Sequence, residues 1–436
     1  MIPRHRPPFG IFGLAKALLP GSDPCCVAQL EQAYAEALCV PHAVWLPSAR
    51  YGICHTLALG LSPQDQVYCP AFTCGVVHQA IRYSTHALTY VDTNPDDFLM
   101  DRQFLNRPVR MVHQSQQSAT QHSTGNTPAY GAVLSEVFGY RYRAPEKHPF
   151  LRDARLRIFD MAMCISTVED MQRLTASDVA LISFGLGKSL YAGWGGMAFT
   201  RDPQMAAALR TKRDQDLRLD AGVVQLRQVT AVCLRTLAHS AWLYKFCRQA
   251  AERRSSASAA RLASQGQATN QQAAEWSRGP TGFHLKLAGQ NLRRSVVFRQ
   301  ERVECSRIYR SELSQLADTG TELETPWLTF LPDNADAMSH FCIRVSPSVR
   351  DSLREYLWNK GFDTATLFPF PKEADAAHLR NTWQLTQQII GLPLSGNLSR
   401  QRVHRLCSAI KDFAATRSAE WQVAEPRAQH KRPVAA

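Results

Sequence analysis

The chain has 436 residues, of which 45% are hydrophobic and 20% charged, and it carries a net charge of +13. That length and apolar content exclude a wholly disordered chain and suit one large enzyme subunit or roughly two or three domains. No run of about 18 uncharged apolar residues is present, which excludes a transmembrane helix.

The basic residues are dispersed, with concentrations at Arg210–Arg218, Arg248–Arg261 and after Arg417. They form no aromatic-interleaved stripe, so no nucleic-acid partner is expected. Twelve cysteines run from Cys25 to Cys407 without a CxxC pair. They read as reduced, small hydrophobes of a cytoplasmic protein. Met1 to Leu19 mixes basic residues, prolines and an apolar patch, and lacks the small-residue cleavage site of a secretory signal.

After an arm over 1–25, Cys26 to Cys39 has the apolar spacing of a helix. Ala43 to Leu46 reads as a strand leading into a turn at Ser48-Ala49-Arg50, with a helix over Tyr51–Leu59. Strand and helix then alternate: Gln66–Phe72, Val76–Arg82, Leu88–Asp92. Such alternation predicts a parallel sheet with helices on both faces. The polar stretch 114–127 reads as a surface insertion. Strands follow at Ala132–Val137, Leu156–Asp160 and Val179–Ile182, and Gly196–Thr200 reads as an antiparallel return. Pro203 to Gln249 is helical in pattern, and 250–274, rich in Ser, Ala and Gln, reads as a mobile connection. A long helix over Leu287–Leu316 leads to a smaller unit. That unit has a strand at His340–Val345, a helix at Ser348–Lys360 and a closing helix at Ser399–Thr416. The boundaries expected are a large domain over 26–285, a small domain over 286–416 and a disordered tail over 417–436.

Candidate chemistry centres on Ser183-Phe-Gly-Leu-Gly-Lys188, followed by Gly195-Gly196. A lysine between small residues at a strand end suits a Schiff base with a cofactor aldehyde, and equally a solvated loop lysine. Asp160 ends an apolar strand, where a carboxylate either holds a pyridine nitrogen protonated or caps the next helix. Ser48, Ala49 and Arg50 occupy a strand-to-helix turn that suits either a phosphate site or an ordinary N-cap. Ser183 lies five residues before Lys188, within reach of the same phosphate. Asp92 reads as a turn or cap residue.

In order and spacing these segments resemble the DegT/DnrJ/EryC1/StrS aminotransferases. The resemblance runs through Ser48-Ala49-Arg50, Pro70 to Val77, Tyr90-Val91-Asp92, Ile158 to Ala162 and Ser183 to Gly196, then Leu392-Pro393-Leu394 and Leu398 to Val403. It covers roughly Cys26 to Phe413. It implies an α/β fold of the fold-type-I pyridoxal phosphate class, with a mostly parallel seven-stranded sheet and a smaller α+β C-terminal domain. It further implies pyridoxal 5′-phosphate as cofactor, Lys188 as Schiff-base residue and proton shuttle, and Asp160 on the pyridine nitrogen. Ser48, Ala49, Arg50 and Ser183 would hold the phosphate.

Three positions depart from the family. Met163 replaces a Gln or His that faces the cofactor oxygen, and Cys74 stands where an aromatic stacks on the ring, with Phe72 the expected substitute. A segment that reaches over from the neighbouring subunit has no counterpart, and Trp276 to Leu287 occupies its place. The activity implied is amino transfer, with glutamate as donor, to a keto-sugar, often nucleotide-linked, in amino-sugar, polysaccharide or secondary-metabolite biosynthesis, by a homodimer. A dehydratase on the same cofactor and a non-catalytic regulator are the alternatives; the retained Lys188 favours transamination.

Overall fold

The computed structural model describes residues 1–19, 24, 26–107, 129–218, 222–240, 242–250, 276, 278–318, 327–332, 336, 339–395 and 398–424. The insertion expected at 114–127 and nearly all of the connection at 250–274 lie outside them.

Seven strands form the main sheet: β1 His42–Leu46, β2 Gln66–Pro70, β3 Ala87–Val91, β4 Tyr130–Ser135, β5 Leu156–Asp160, β6 Asp178–Ser183 and β7 Gly196–Thr200. Their order is β1-β7-β6-β5-β4-β2-β3. Every pair is parallel except the two made by β7, which runs antiparallel to both β6 and β1. The expected α/β class, mostly parallel sheet and antiparallel return are the observed ones.

Side chains alternate between two buried layers, as the two-residue period of a strand requires. Trp45, Leu134, Phe159, Ile182 and Phe199 face helices Val27–Leu38 and Gly282–Asp318. Val44, Leu46, Val133, Ile158, Leu181 and Ala198 face helices Ala49–Gly60, Gly75–Tyr83 and Pro203–Asp216. A sheet covered on both faces has solvent access mainly at its strand ends, and there the loops after β1, β2, β5 and β6 gather.

Glu31 fixes the edge strand that leads to the Ser48 turn. Its buried carboxylate accepts from the Trp45 backbone N–H at 2.8 Å, from Arg213 at 2.6 Å and from Arg210 at 2.9 Å. One side chain thereby ties β1 to helices on either side of it.

The smaller unit is a three-stranded antiparallel sheet, β10-β9-β8, made of β8 Leu328–Phe330, β9 His340–Val345 and β10 Ile389–Pro393. Helices Pro347–Asn359 and Arg400–Ala424 cover it. The domain boundary expected at residue 285 falls inside the continuous helix Gly282–Asp318. That helix serves the large core through Phe298 and the small core from Cys305 onward, so no linker separates the units. The closing helix runs to Ala424, which corrects the tail expected from 417; residues 425–436 lie outside those described.

The N-terminal arm is also built in. The Ile2 N–H donates to the Gly361 carbonyl at 2.8 Å, and Asp363 N–H donates back to Ile2 at 3.0 Å. Phe9, Leu14 and Ala17 enter the large core, so the arm joins both units. Among the described residues no helix is long and apolar enough to cross a membrane.

Replacing Glu31 by Ala takes one carboxylate from buried Arg213, which keeps its bonds to Asp214 and the Trp45 carbonyl. The change is expected to cost about 1.5–3 kcal/mol, read as a lower urea midpoint at unchanged slope.

Candidate active site

Lys188 is carried on the loop between β6 and β7. The neck of that loop is closed by the Ser183–Gly196 strand pair and by Phe184 N–H donating to the Gly195 carbonyl at 2.9 Å. A second bond, Ala192 N–H to the Phe184 carbonyl at 3.0 Å, folds the loop back on itself. Gly187, Gly193 and Gly195 take φ of +79°, +95° and +97°, backbone that a side chain strongly disfavours. The tightness of the loop, not just its composition, accounts for the glycines.

The Gly195-Gly196 pair has a structural partner. A Cβ on Gly196 would lie 2.6 Å from the Ile182 carbonyl oxygen and 3.0 Å from the Ala49 backbone nitrogen. A Cβ on Gly195 would strike the Trp45 ring at 2.6 Å. The close approach that Gly196 permits is made by the Ser48-Ala49 turn, which rests directly on β7.

That turn begins helix Ala49–Gly60. Ser48 is its N-cap and accepts from the Tyr51 N–H at 3.0 Å. The cap reading is thus realised, while the other first-turn N–H groups stay available to an anion. Arg50 adds its guanidinium, whose Nε is buried with no hydrogen-bond partner among the described residues.

Asp160 ends β5, is 8% exposed and accepts from the Ala162 N–H at 3.1 Å. Burial raises its carboxyl pKa above the ordinary value, while the Lys188 ammonium and the Ala162 N–H oppose the rise. Ser183 ends β6 and accepts from the Gly185 N–H at 3.2 Å.

A cavity of about 280 Å³ joins these groups. Its wall includes Ser48, Ala49, Arg50, Cys74, Asp160, Ser183 and Lys188. Seven of the expected positions therefore meet in one place, although they span 140 residues of chain, from Ser48 to Lys188.

Two do not. Phe72 is fully buried away from the cavity, stacked on Phe98 at 5.4 Å and edge-on to Phe368 at 5.3 Å. Its N–H is tied to the Thr93 hydroxyl at 3.2 Å, which turns the residue toward the smaller unit, so it does not substitute for a ring-stacking aromatic. Met163 packs in that same aromatic cluster, and Ala162 takes the place on the wall. Asp92 acts as a cap, as expected, but of a distant helix: it accepts from the Asn381 and Thr382 N–H groups at 3.1 and 2.9 Å.

Three further wall residues are Trp194, Arg235 and Trp276. Trp276 packs edge-on against Tyr51 and His55, each at 5.7 Å, so the segment expected to replace the family's inter-subunit element does reach the site. Arg235 lies on helix Gly222–Ala238, and nothing in its local sequence distinguishes it from other helical arginines.

Because folding disfavours the charged form of Asp160, the stability it contributes is present below its ordinary pKa of 3.8 and is lost as pH rises through the higher folded value. Asp160→Asn is therefore expected to melt at or above the wild-type temperature near pH 7 in cofactor-free protein. Its advantage should shrink toward pH 4, as thermal melts at the two pH values would show.

No family model matches the chain. Among solved structures it is similar to a DegT DnrJ EryC1 StrS aminotransferase from Brucella abortus, at 16% identity over 92% of this chain and 94% of that one, with a TM-score of 0.63. A sugar aminotransferase from Micromonospora echinospora matches at 17% identity over 94% and 100% of the two chains, TM-score 0.62. A Bacillus subtilis protein solved with bound cofactor PMP matches at 15% identity over 93% and 82%, TM-score 0.64. The chain shares the fold of these proteins along nearly its whole length.

Proposed function

We propose that the protein is a pyridoxal phosphate-dependent aminotransferase that moves an amino group, with glutamate as donor, to the carbonyl of a keto-sugar. The observation that carries this is the meeting of Lys188, Asp160, Ser183 and the Ser48–Arg50 turn on one cavity wall. The sugar aminotransferase fold and the PMP-bound neighbour support the same reading.

The residues present fit the cofactor. A buried guanidinium nitrogen without a partner, at the start of a helix, suits a phosphate. A buried carboxylate on the same wall suits a protonated ring nitrogen. When bound, pyridoxal phosphate supplies a conjugated ring that accepts the electron pair left behind when a substrate carbon loses its proton.

The chain does the rest. Lys188 Nζ would hold the cofactor aldehyde and, when free, would carry a proton at the substrate carbon. Asp160 keeps a proton on the ring nitrogen, and in return that positive charge relieves the cost of burying its own carboxylate. Ser183 and the Ser48–Arg50 turn fix the phosphate, which sets the distance between Lys188 and the reacting carbon. Over one cycle glutamate leaves as a 2-oxo acid whose new carbonyl oxygen comes from water, the keto-sugar gains the amino group, and the sugar's carbonyl oxygen leaves as water, so the water taken up and the water released cancel.

Exposed Leu226, Leu234, Trp242 and Phe246 supply apolar surface for a homodimer, and the free cysteines accord with a reducing cytoplasm. A nucleotide on the sugar and a biosynthetic setting complete the proposal.

Protein incubated with pyridoxal phosphate and reduced with borohydride is expected to carry a pyridoxyl group on the peptide containing Lys188. Lys188→Ala should carry none and should lose amino transfer from glutamate by at least about 10³-fold. A wild-type protein that retains no cofactor under these conditions would sink the assignment. A panel of keto-sugars, free and nucleotide-linked, then identifies the acceptor.

A further inference from the structure

Within the cavity wall the charged side chains are Arg50, Lys188, Arg235 and Asp160, three cations against one carboxylate. Three of the four already have a task in the proposed reaction, and Arg235 has none.

Its position is well determined. Val232 on helix Gly222–Ala238 is buried against the lysine loop, so closely that a Cβ on Gly193 would lie 2.4 Å from the Val232 side chain. Arg235 follows three residues later, on the same helical face, and is brought to the cavity beside Gly193 and Trp194. Arg235 is an exposed residue, and its positive charge lies close enough to the buried Tyr191 hydroxyl to oppose the rise that burial gives that group's pKa.

We infer that Arg235 is a second phosphate-binding arginine, which with Arg50 clamps the cofactor's phosphate from within the same chain. The inference rests on the proposed cofactor and is carried by the placement of helix Gly222–Ala238 and by charge balance. A bound phosphate monoester carries about two negative charges. Asp160 matches the ring-nitrogen proton, and the charge on the lysine-bound nitrogen matches the ring's own oxygen anion. That leaves two negative charges on the phosphate and two unassigned cations, Arg50 and Arg235. The Arg50 turn follows strand β1 and Arg235 lies on helix Gly222–Ala238, so the two arginines reach the cavity wall from different elements. Planar guanidinium groups suit that geometry because each presents paired donors to phosphate oxygens.

Equilibrium binding of pyridoxal phosphate, and of pyridoxal, which lacks the phosphate, tests this in wild type, Arg235→Ala and Arg235→Lys. Arg235→Ala is expected to weaken pyridoxal phosphate about tenfold or more, to leave pyridoxal affinity and the melting temperature unchanged, and to be partly rescued by Lys. An Arg235→Ala affinity within twofold of wild type, or an equal loss for both ligands, overturns the inference while leaving the cofactor assignment intact. A wild type that binds neither ligand overturns both.

Co-expression of Lys188→Ala chains with Arg235→Ala chains tests the same-chain element, after borohydride reduction at limiting cofactor. Labelling of Lys188 at the reduced affinity of Arg235→Ala alone is expected. Labelling at wild-type affinity would show that a partner's Arg235 serves the site and would overturn the same-chain clamp.

Discussion

The contact on which the site depends is the approach of the Ser48-Ala49 turn to Gly196. With only a hydrogen on Gly196, the turn rests on β7 where β7 pairs with the last residue of β6. The two ends of that pairing carry different duties: Ser183 opens the lysine loop and Gly196 supports the Ser48-Ala49 turn. A side chain at Gly196 would push backbone against backbone, since both near atoms belong to the main chain. The separation between Lys188 and the helix N-terminus is thus set by sheet geometry rather than by flexible side chains, which is how a site gains precision.

Buried charge pairs brace the strand ends. Glu136, just past β4 and fully buried, receives Arg173 and lies near Arg141, while Arg141 and Arg173 share Asp170. The Arg173 guanidinium also lies 4.7 Å from the centre of the Phe159 ring, next to Asp160. Farther down the strands, Arg157 and Asp178 join β5 to β6 through a pair buried on both sides. Such pairs add little net stability but hold geometry, because breaking one leaves an uncompensated charge. Asp160 is the contrasting case: its carboxylate has no guanidinium bonded to it among the described residues, and it therefore stays available to a ligand.

Much of the large domain was legible because its signals are local. Strands β5, β6 and β7 announce themselves as apolar runs, and the residues that end them, Asp160 and Ser183, inherit their place from the sheet. Lys188 was legible for the same reason. Phe72 and Met163 were not, because each lies in the irregular chain just past a strand, where a single φ/ψ change decides which side of the loop a side chain leaves from. The hydrogen bond from Phe72 to Thr93, 21 residues away, makes that decision. Arg235 was invisible for a different reason: its place on the cavity wall depends on how a whole helix lies across a distant loop. The helix at Gly282 begins earlier than its pattern indicated because its first turn is held by tertiary packing of Phe283 and Leu285, not by helix propensity.

The strap formed by the first residues has a consequence for how the molecule is made. Ile2 bonds to Gly361 and Asp363, about 360 residues later in the chain, and between these anchors His5 lies against Gly187, next to Lys188. At ordinary synthesis rates of about 5–20 residues per second, the arm waits roughly 20–70 s for its docking partner to exist. The large sheet can form in that interval, but the cover over the lysine loop cannot. Docking of the arm over the lysine loop is therefore a late event of assembly.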